Sequence, residues 1–187
     1  MIKVSLCLSG YRSTDIPEIT VFHNQRPVIT TQVIGHNHWF DFDIEPAEEN
    51  LLTIDFHNKE SHHTIVQDGN IVEDMWVEFH KIRVDDILLQ SWFLDDGWYR
   101  PRYFDEYLKD FPDSPDRLTS QRIWHFPGAY HLCAFPKDFW EWYHFERNNH
   151  IELANMDKDL HRWEKFVGSI NRYPEIVAEI KDLIHGS

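Results

Sequence analysis

The stretch Met75-Trp76-Val77-Glu78-Phe79-His80-Lys81-Ile82-Arg83-Val84 decides the fold. Met75, Val77 and Phe79 alternate with Trp76, Glu78 and His80, which is the period of a strand with one face in a core and the other in water. The apolar parity then switches, because Ile82 and Val84 fall on even positions. A single-residue bulge near His80-Lys81 restores the inward face.

The same period extends outward from there. Ile2, Val4, Leu6 and Leu8 alternate; Ile19 and Val21 follow Pro17, and Val28-Ile29 and Val33-Ile34 come next. Phe40, Phe42 and Ile44 oppose Trp39, Asp41 and Asp43, and Leu52, Ile54 and Phe56 oppose Thr53, Asp55 and His57. Residues 46–50 and Asp68-Gly69-Asn70 have turn compositions. Short antiparallel strands broken by such turns predict a mainly β chain folded as a β-sandwich. The apolar opening of the chain alternates and lacks a small-residue cleavage site, so it reads as a first strand and not as a signal peptide.

Residues 91–122 are different. They hold Trp92, Phe93, Trp98, Tyr99, Tyr103, Phe104, Tyr107 and Phe111 among Asp95-Asp96, Pro101, Pro112 and Pro115, with neither strand nor helix period. The reading is a long loop packed by its own rings. Residues 123–126 and 129–135 read as late strands, and Asp138 with Glu141 has capping-box spacing for a helix. Leu160, Trp163, Phe166, Val167 and Ile170 fall on one helical face, and residues 176–184 form another. The expected organisation is therefore a sandwich over 1–147, with the aromatic loop 91–122 inside it, and a C-terminal helical extension over 148–187. The first of these helices is the candidate docking element.

Composition narrows the functions. The net charge of −14 disfavours a phosphate backbone as partner, so nucleic-acid binding is excluded as a general role. No run of residues is long and apolar enough to span a bilayer. Cys7 and Cys133 form no disulfide framework and read as buried thiols. No G-x-S-x-G, phosphate loop or H-E-x-x-H is present.

The candidate sites are these. His36 and His38 form an H-x-H pair that can hold a metal, but no further ligand stands at a reinforcing spacing, so rim histidines are the plainer reading. Asp68, Asn70 and Asp74 offer hard oxygens in and after a tight turn, a set suited to calcium. Asp41 and Asp43 share an outward face beside Trp39, as a glycan-cleaving pair would, although any polar sheet face gives this pattern. Trp39, Trp92, Trp98 and Tyr99 are the candidate glycan or partner contacts.

The order of segments resembles a known group. It runs Leu51-Leu52-Thr53-Ile54-Asp55-Phe56-His57-Asn58-Lys59, then Thr64-Ile65-Val66-Gln67-Asp68-Gly69-Asn70-Ile71-Val72-Glu73-Asp74, then Val77-Glu78-Phe79-His80-Lys81-Ile82-Arg83-Val84-Asp85. It closes with Gly128-Ala129-Tyr130-His131-Leu132-Cys133-Ala134-Phe135-Pro136 and Phe139-Trp140-Glu141-Trp142. This is similar to cyanophage-type proteins of marine tailed bacteriophages. The resemblance implies a jelly-roll sandwich like that of calcium-dependent carbohydrate-binding modules.

Taken together, these features lead to a non-enzymatic virion protein, a capsid decoration or a tail or adhesin-like module, assembled in the host cytoplasm. It would act through contacts with other virion proteins and as a homo-oligomer. The alternative is a carbohydrate-binding module for host-surface polysaccharide, with calcium as its cofactor. A glycan-acting enzyme comes third.

Overall fold

The structure is a computed structural model that describes residues 1–132, 134–144 and 147. Cys133 and the expected docking face of Leu160, Trp163, Phe166, Val167 and Ile170 lie outside the described residues. By contacts the chain divides into Met1–Lys137 and Asp138–Ser187.

The first unit begins with four strands: β1 (Ile2–Tyr11), β2 (Glu18–His23), β3 (Arg26–Gln32) and β4 (Gly35–Ile44). After β5 (Glu49–Asn50) and β6 (Leu52–Phe56), a 3₁₀ turn at Ser61–His63 leads into the hairpin β7 (Ile65–Gln67) and β8 (Asn70–Glu73). The long β9 (Trp76–Val84) and short β10 (Ile87–Leu88) precede helix α1 (Trp92–Asp95), β11 (Trp98–Pro101) and helix α2 (Asp105–Asp110). Four short strands close the unit: β12 (Leu118–Thr119), β13 (Ile123–Trp124), β14 (Gly128–His131) and β15 (Phe135–Pro136).

The strands build an antiparallel sandwich with a jelly-roll-like layout. One sheet runs β10-β9-β1-β4, with β13 also on β9; the other runs β12-β11-β14-β6-β2-β3. The alternation noted above supplies the inner faces. Val4, Leu6, Leu8, Phe40, Phe42, Val77, Phe79, Ile82 and Val84 are buried from one sheet, and Ile19, Val21, Leu52, Ile54, Phe56, Tyr99 and Tyr130 from the other. Aromatic side chains join the two layers. The Trp124 ring stacks on Tyr99 at 5.6 Å and on Tyr130 at 5.3 Å, and Phe79 meets Tyr130 edge-on at 5.6 Å. Burying one such ring contributes a few kcal/mol, more than any single exposed contact.

The bulge falls where the parity requires it. Cys7 pairs with Lys81 but Leu8 pairs with Phe79, so His80 is the extra residue. Its Nε2 lies 2.6 Å from the Ser9 hydroxyl, which also accepts the Asn37 amide at 2.9 Å. Val33-Ile34, expected within a strand, instead link β3 to β4; Val33 is buried and donates its amide to the Pro17 carbonyl at 2.8 Å.

Residues 91–122 are not one loop. They contain α1, α2 and β11, and β11 pairs with β12 and β14 inside the larger sheet. Four residues ending in a proline are too short to declare a strand by periodicity. What makes them one is the ladder to β14, from Trp98↔His131 to Pro101↔Gly128. That approach needs a glycine, since a Cβ at Gly128 would sit 2.4 Å from the Arg100 carbonyl oxygen.

In the second unit residues 139–144 are helical, directly after Asp138. Phe139 stacks on Tyr143 four positions on, with ring centroids 5.6 Å apart, as side chains on one helical face do.

Candidate functional site

The four expected contact rings do not form one surface. Trp39 stands on the outward face of β4, with the Arg83 guanidinium 4.0 Å from its ring centre. Trp98 stands on the outward face of β11, stacked on His131 at 4.0 Å with Arg117 4.6 Å from its ring. These are opposite faces of the sandwich. Trp92 is half-buried and meets Phe93 edge-on at 5.9 Å. Tyr99 is not a surface contact at all: it is 1% exposed, its hydroxyl donates to the Phe126 carbonyl, and burial drives its pKa far up. Such a group packs the core and offers nothing to a ligand.

The expected calcium set is also dispersed. Asp68 and Gly69 have φ of 52° and 77° and form the two-residue tip of the β7–β8 hairpin, with Gln67 paired to Asn70. Asp68 and Asn70 are exposed there. Asp74 stands at the base of the hairpin, four residues past Asn70, which is about 13 Å along an extended strand. The three carboxylate and amide groups therefore do not converge.

At the hairpin base, Asp74 belongs to a different constellation. Its Oδ1 accepts hydrogen bonds from the Lys59 ammonium and, at 2.6 Å, from the Thr64 hydroxyl; its Oδ2 accepts from His125 Nδ1 at 3.0 Å. Lys59 also donates to the His125 carbonyl at 2.6 Å. The Lys59 side chain is 1% exposed and that of Asp74 11%. Burial pushes the Lys59 pKa down, and the hydrogen bond and charge of Asp74 work against that fall. For Asp74 burial acts upward, but hydrogen bonds from His125, Lys59 and Thr64 and the attraction of Lys59 outweigh it and hold the carboxyl below its ordinary range. Removing one member would strand the other as a buried charge.

This charged group lies on one side of a cleft of about 590 Å³ between the β7–β8 hairpin and α2. Val66 and Ile71 of the hairpin line it from one direction, and Phe104, Tyr107 and Phe126 from the other. The aromatic wall is continuous. Tyr107 contacts Phe126 at 4.7 Å, Tyr103 at 5.3 Å and Phe111 at 4.8 Å. Tyr103, Tyr107 and Phe111 are spaced by four around α2, a local spacing hidden by the lack of a regular period over residues 91–122 as a whole. Lys59, Thr64 and His125 carried no signal, because nothing in their neighbours announces burial. The cleft can hold a ligand by ring stacking on one side and by hydrogen bonding to fixed charges on the other.

The histidines hold other positions. His36 and His38 are exposed, and His36 Nδ1 lies 2.9 Å from the Tyr11 hydroxyl. Among the described residues, Asp15, His62 and His63 are the group of His, Cys, Asp or Glu side chains whose ligand atoms converge, within 4.8 Å. However, His63 Nδ1 accepts the Glu60 amide at 2.9 Å, so its proton sits on Nε2, directed at Asp15 Oδ2 2.9 Å away. The nitrogen needed for a metal is thus already carrying a hydrogen. Asp41 and Asp43 are exposed on the open outer face of β4.

No protein-family profile and no curated protein matches the chain. Two solved structures share its fold. One is vCBM60 in complex with galactobiose, at a TM-score of 0.50 and 8% identity over 71% of this chain and 99% of the other. The second is the selenomethionine form of vCBM60, described with two families of calcium-dependent carbohydrate-binding modules linked by circular permutation. It matches at a TM-score of 0.50 and 8% identity over 72% of this chain and 92% of its own.

Proposed function

We propose that this chain is a non-catalytic carbohydrate-binding module whose ligand lies in the cleft between the β7–β8 hairpin and α2. The observation that carries the reading is the cleft itself, an aromatic wall of Tyr107 and Phe126 facing the fixed polar group Lys59, Asp74 and His125. Sugars present apolar C–H faces and hydroxyl edges, and this pairing of surfaces suits both. The shared fold with a module solved with galactobiose supports it.

The charge of the lining selects among glycans. Asp74, Glu106 and Asp110 outnumber Lys59, on a chain of net charge −14. Neutral glycans should therefore bind in preference to uronate or sulfated ones.

The fold likeness favours glycan binding over a purely scaffolding part in a capsid or tail. A place on a phage particle, with other virion proteins or copies of itself as neighbours, belongs to the proposal as its setting. There the module would act as an adhesin toward host polysaccharide.

A glycan array followed by calorimetry tests the reading. Binding of a neutral glycan, weakened in Tyr107→Ala and His125→Ala, is the expected result. A flat array, or binding that both variants retain at full strength, overturns it.

A further inference from the structure

The fold relatives are described as calcium-dependent, yet the donor set here does not fit that ion. Calcium takes six to eight oxygens at about 2.3–2.6 Å. Both oxygens of Asp74 already accept hydrogen bonds from Lys59, Thr64 and His125. An ion seated on that carboxylate would stand against a buried ammonium of its own sign. Asp68 and Asn70 are too far up the hairpin to complete a shell, and the Asp15, His62 and His63 group is rich in nitrogen with its inner nitrogen protonated.

We propose that Lys59 is the resident cation of this module, and that its ammonium organises the cleft so that ligand binding there requires no calcium. The geometry supplies what a bound cation would. Lys59 neutralises the Asp74 carboxylate and ties it to the backbone carbonyl of His125, so the 3₁₀ turn region, the hairpin base and the segment after β13 are held by one charge. An ammonium has three N–H groups. Two of them are used by Asp74 and His125. The Lys59 side chain is 1% exposed, so it acts on the cleft through the Asp74 carboxylate and the His125 segment that it fixes in the lining. A lysine ammonium is a compact point charge with three donors, and unlike a bound ion it is covalently retained.

The inference rests on the carbohydrate-binding reading, and the experiment separates the two. The first arm uses no glycan: thermal unfolding of the wild-type chain with calcium and with a chelator, together with terbium luminescence titration. The expected result is one Tm in both buffers and no terbium signal that depends on Asp74. A Tm raised by calcium in wild type, and not in Asp74→Asn, overturns the inference, since a ligand that binds the native state must stabilise it. The second arm measures affinity for an array-identified neutral glycan. Equal affinity in both buffers, with a loss of about tenfold or more in Lys59→Met, is expected. Binding only in the presence of calcium overturns the role of Lys59 while leaving the carbohydrate reading standing. Absence of glycan binding in either buffer sinks that reading, and the ligand-free arm still decides whether the chain answers to calcium. Should Lys59→Met fail to fold, the wild-type chelator comparison decides alone.

Discussion

Tyr99 and Tyr103 are four residues apart and end in opposite environments. Tyr99 lies on β11, 1% exposed, stacked on Trp124 between the sheets. Tyr103 follows the strand, half-buried, stacked on Tyr107 in the wall beside the cleft. Burial raises both hydroxyl pKa values, and far more for Tyr99. The difference teaches that ring content does not distinguish a core from a contact surface. The sheet ladder does, because it fixes which way a side chain points.

The comparison is broken most severely at Trp124. Trp124→Ala should cost about 3–5 kcal/mol of stability, seen in denaturant unfolding, because the ring is fully buried against Tyr99 and Tyr130. A loss below about 1 kcal/mol would mean that the two sheets are not joined there.

On the cleft side the largest effect belongs to the buried pair. Lys59→Met should cost about 3 kcal/mol by stranding Asp74. Combining Lys59→Met with Asp74→Leu should be less destabilising than Lys59→Met alone, since no uncompensated charge remains. Additive losses in that double-mutant cycle would show that the pair is not coupled.

A smaller effect appears in acid. The folded Asp74 carboxyl lies below its ordinary value, so its stabilisation is present at neutral pH. It is lost as pH falls from about 4 through the depressed value. Denaturant midpoints followed against pH should fall more steeply in this window for wild type than for Asp74→Asn. Parallel curves would show that Asp74 contributes nothing there.

The smallest stability change, and the sharpest functional one, is at Tyr107. Tyr107→Ala should leave the fold within about 1 kcal/mol and weaken glycan binding by about 1 kcal/mol, or roughly fivefold in Kd. Trp98→Ala, on the outward face of the larger sheet, should leave that Kd unchanged. The reverse pattern from calorimetry would move the ligand from the cleft to the sheet face.

Much of the scaffold was legible in the sequence. Alternation located β1, β2, β4, β6 and β9, and the parity change between Phe79 and Ile82 located the bulge near His80-Lys81, which the strand register narrows to His80. The hairpin tip was legible from Asp68-Gly69, whose positive φ angles small polar residues and glycine accept most readily. The strand β11 was not, because it is four residues long and exists through its partner. The candidate site was legible only in part. Asp74 was noticed for its charge, but its hydrogen-bond partners were not legible, since they come from distant segments: Lys59 is 15 residues before it and His125 51 residues after.

By itself, then, the amino-acid order determined the antiparallel sandwich, because strand period and turn chemistry are local properties of neighbouring residues. Tertiary structure alone decided which rings are core and which line a cleft, and that a lysine neutralises Asp74. Burial and charge pairing depend on segments far apart in sequence, and no local pattern encodes the 2.6 Å approach of Lys59 to the carbonyl of His125.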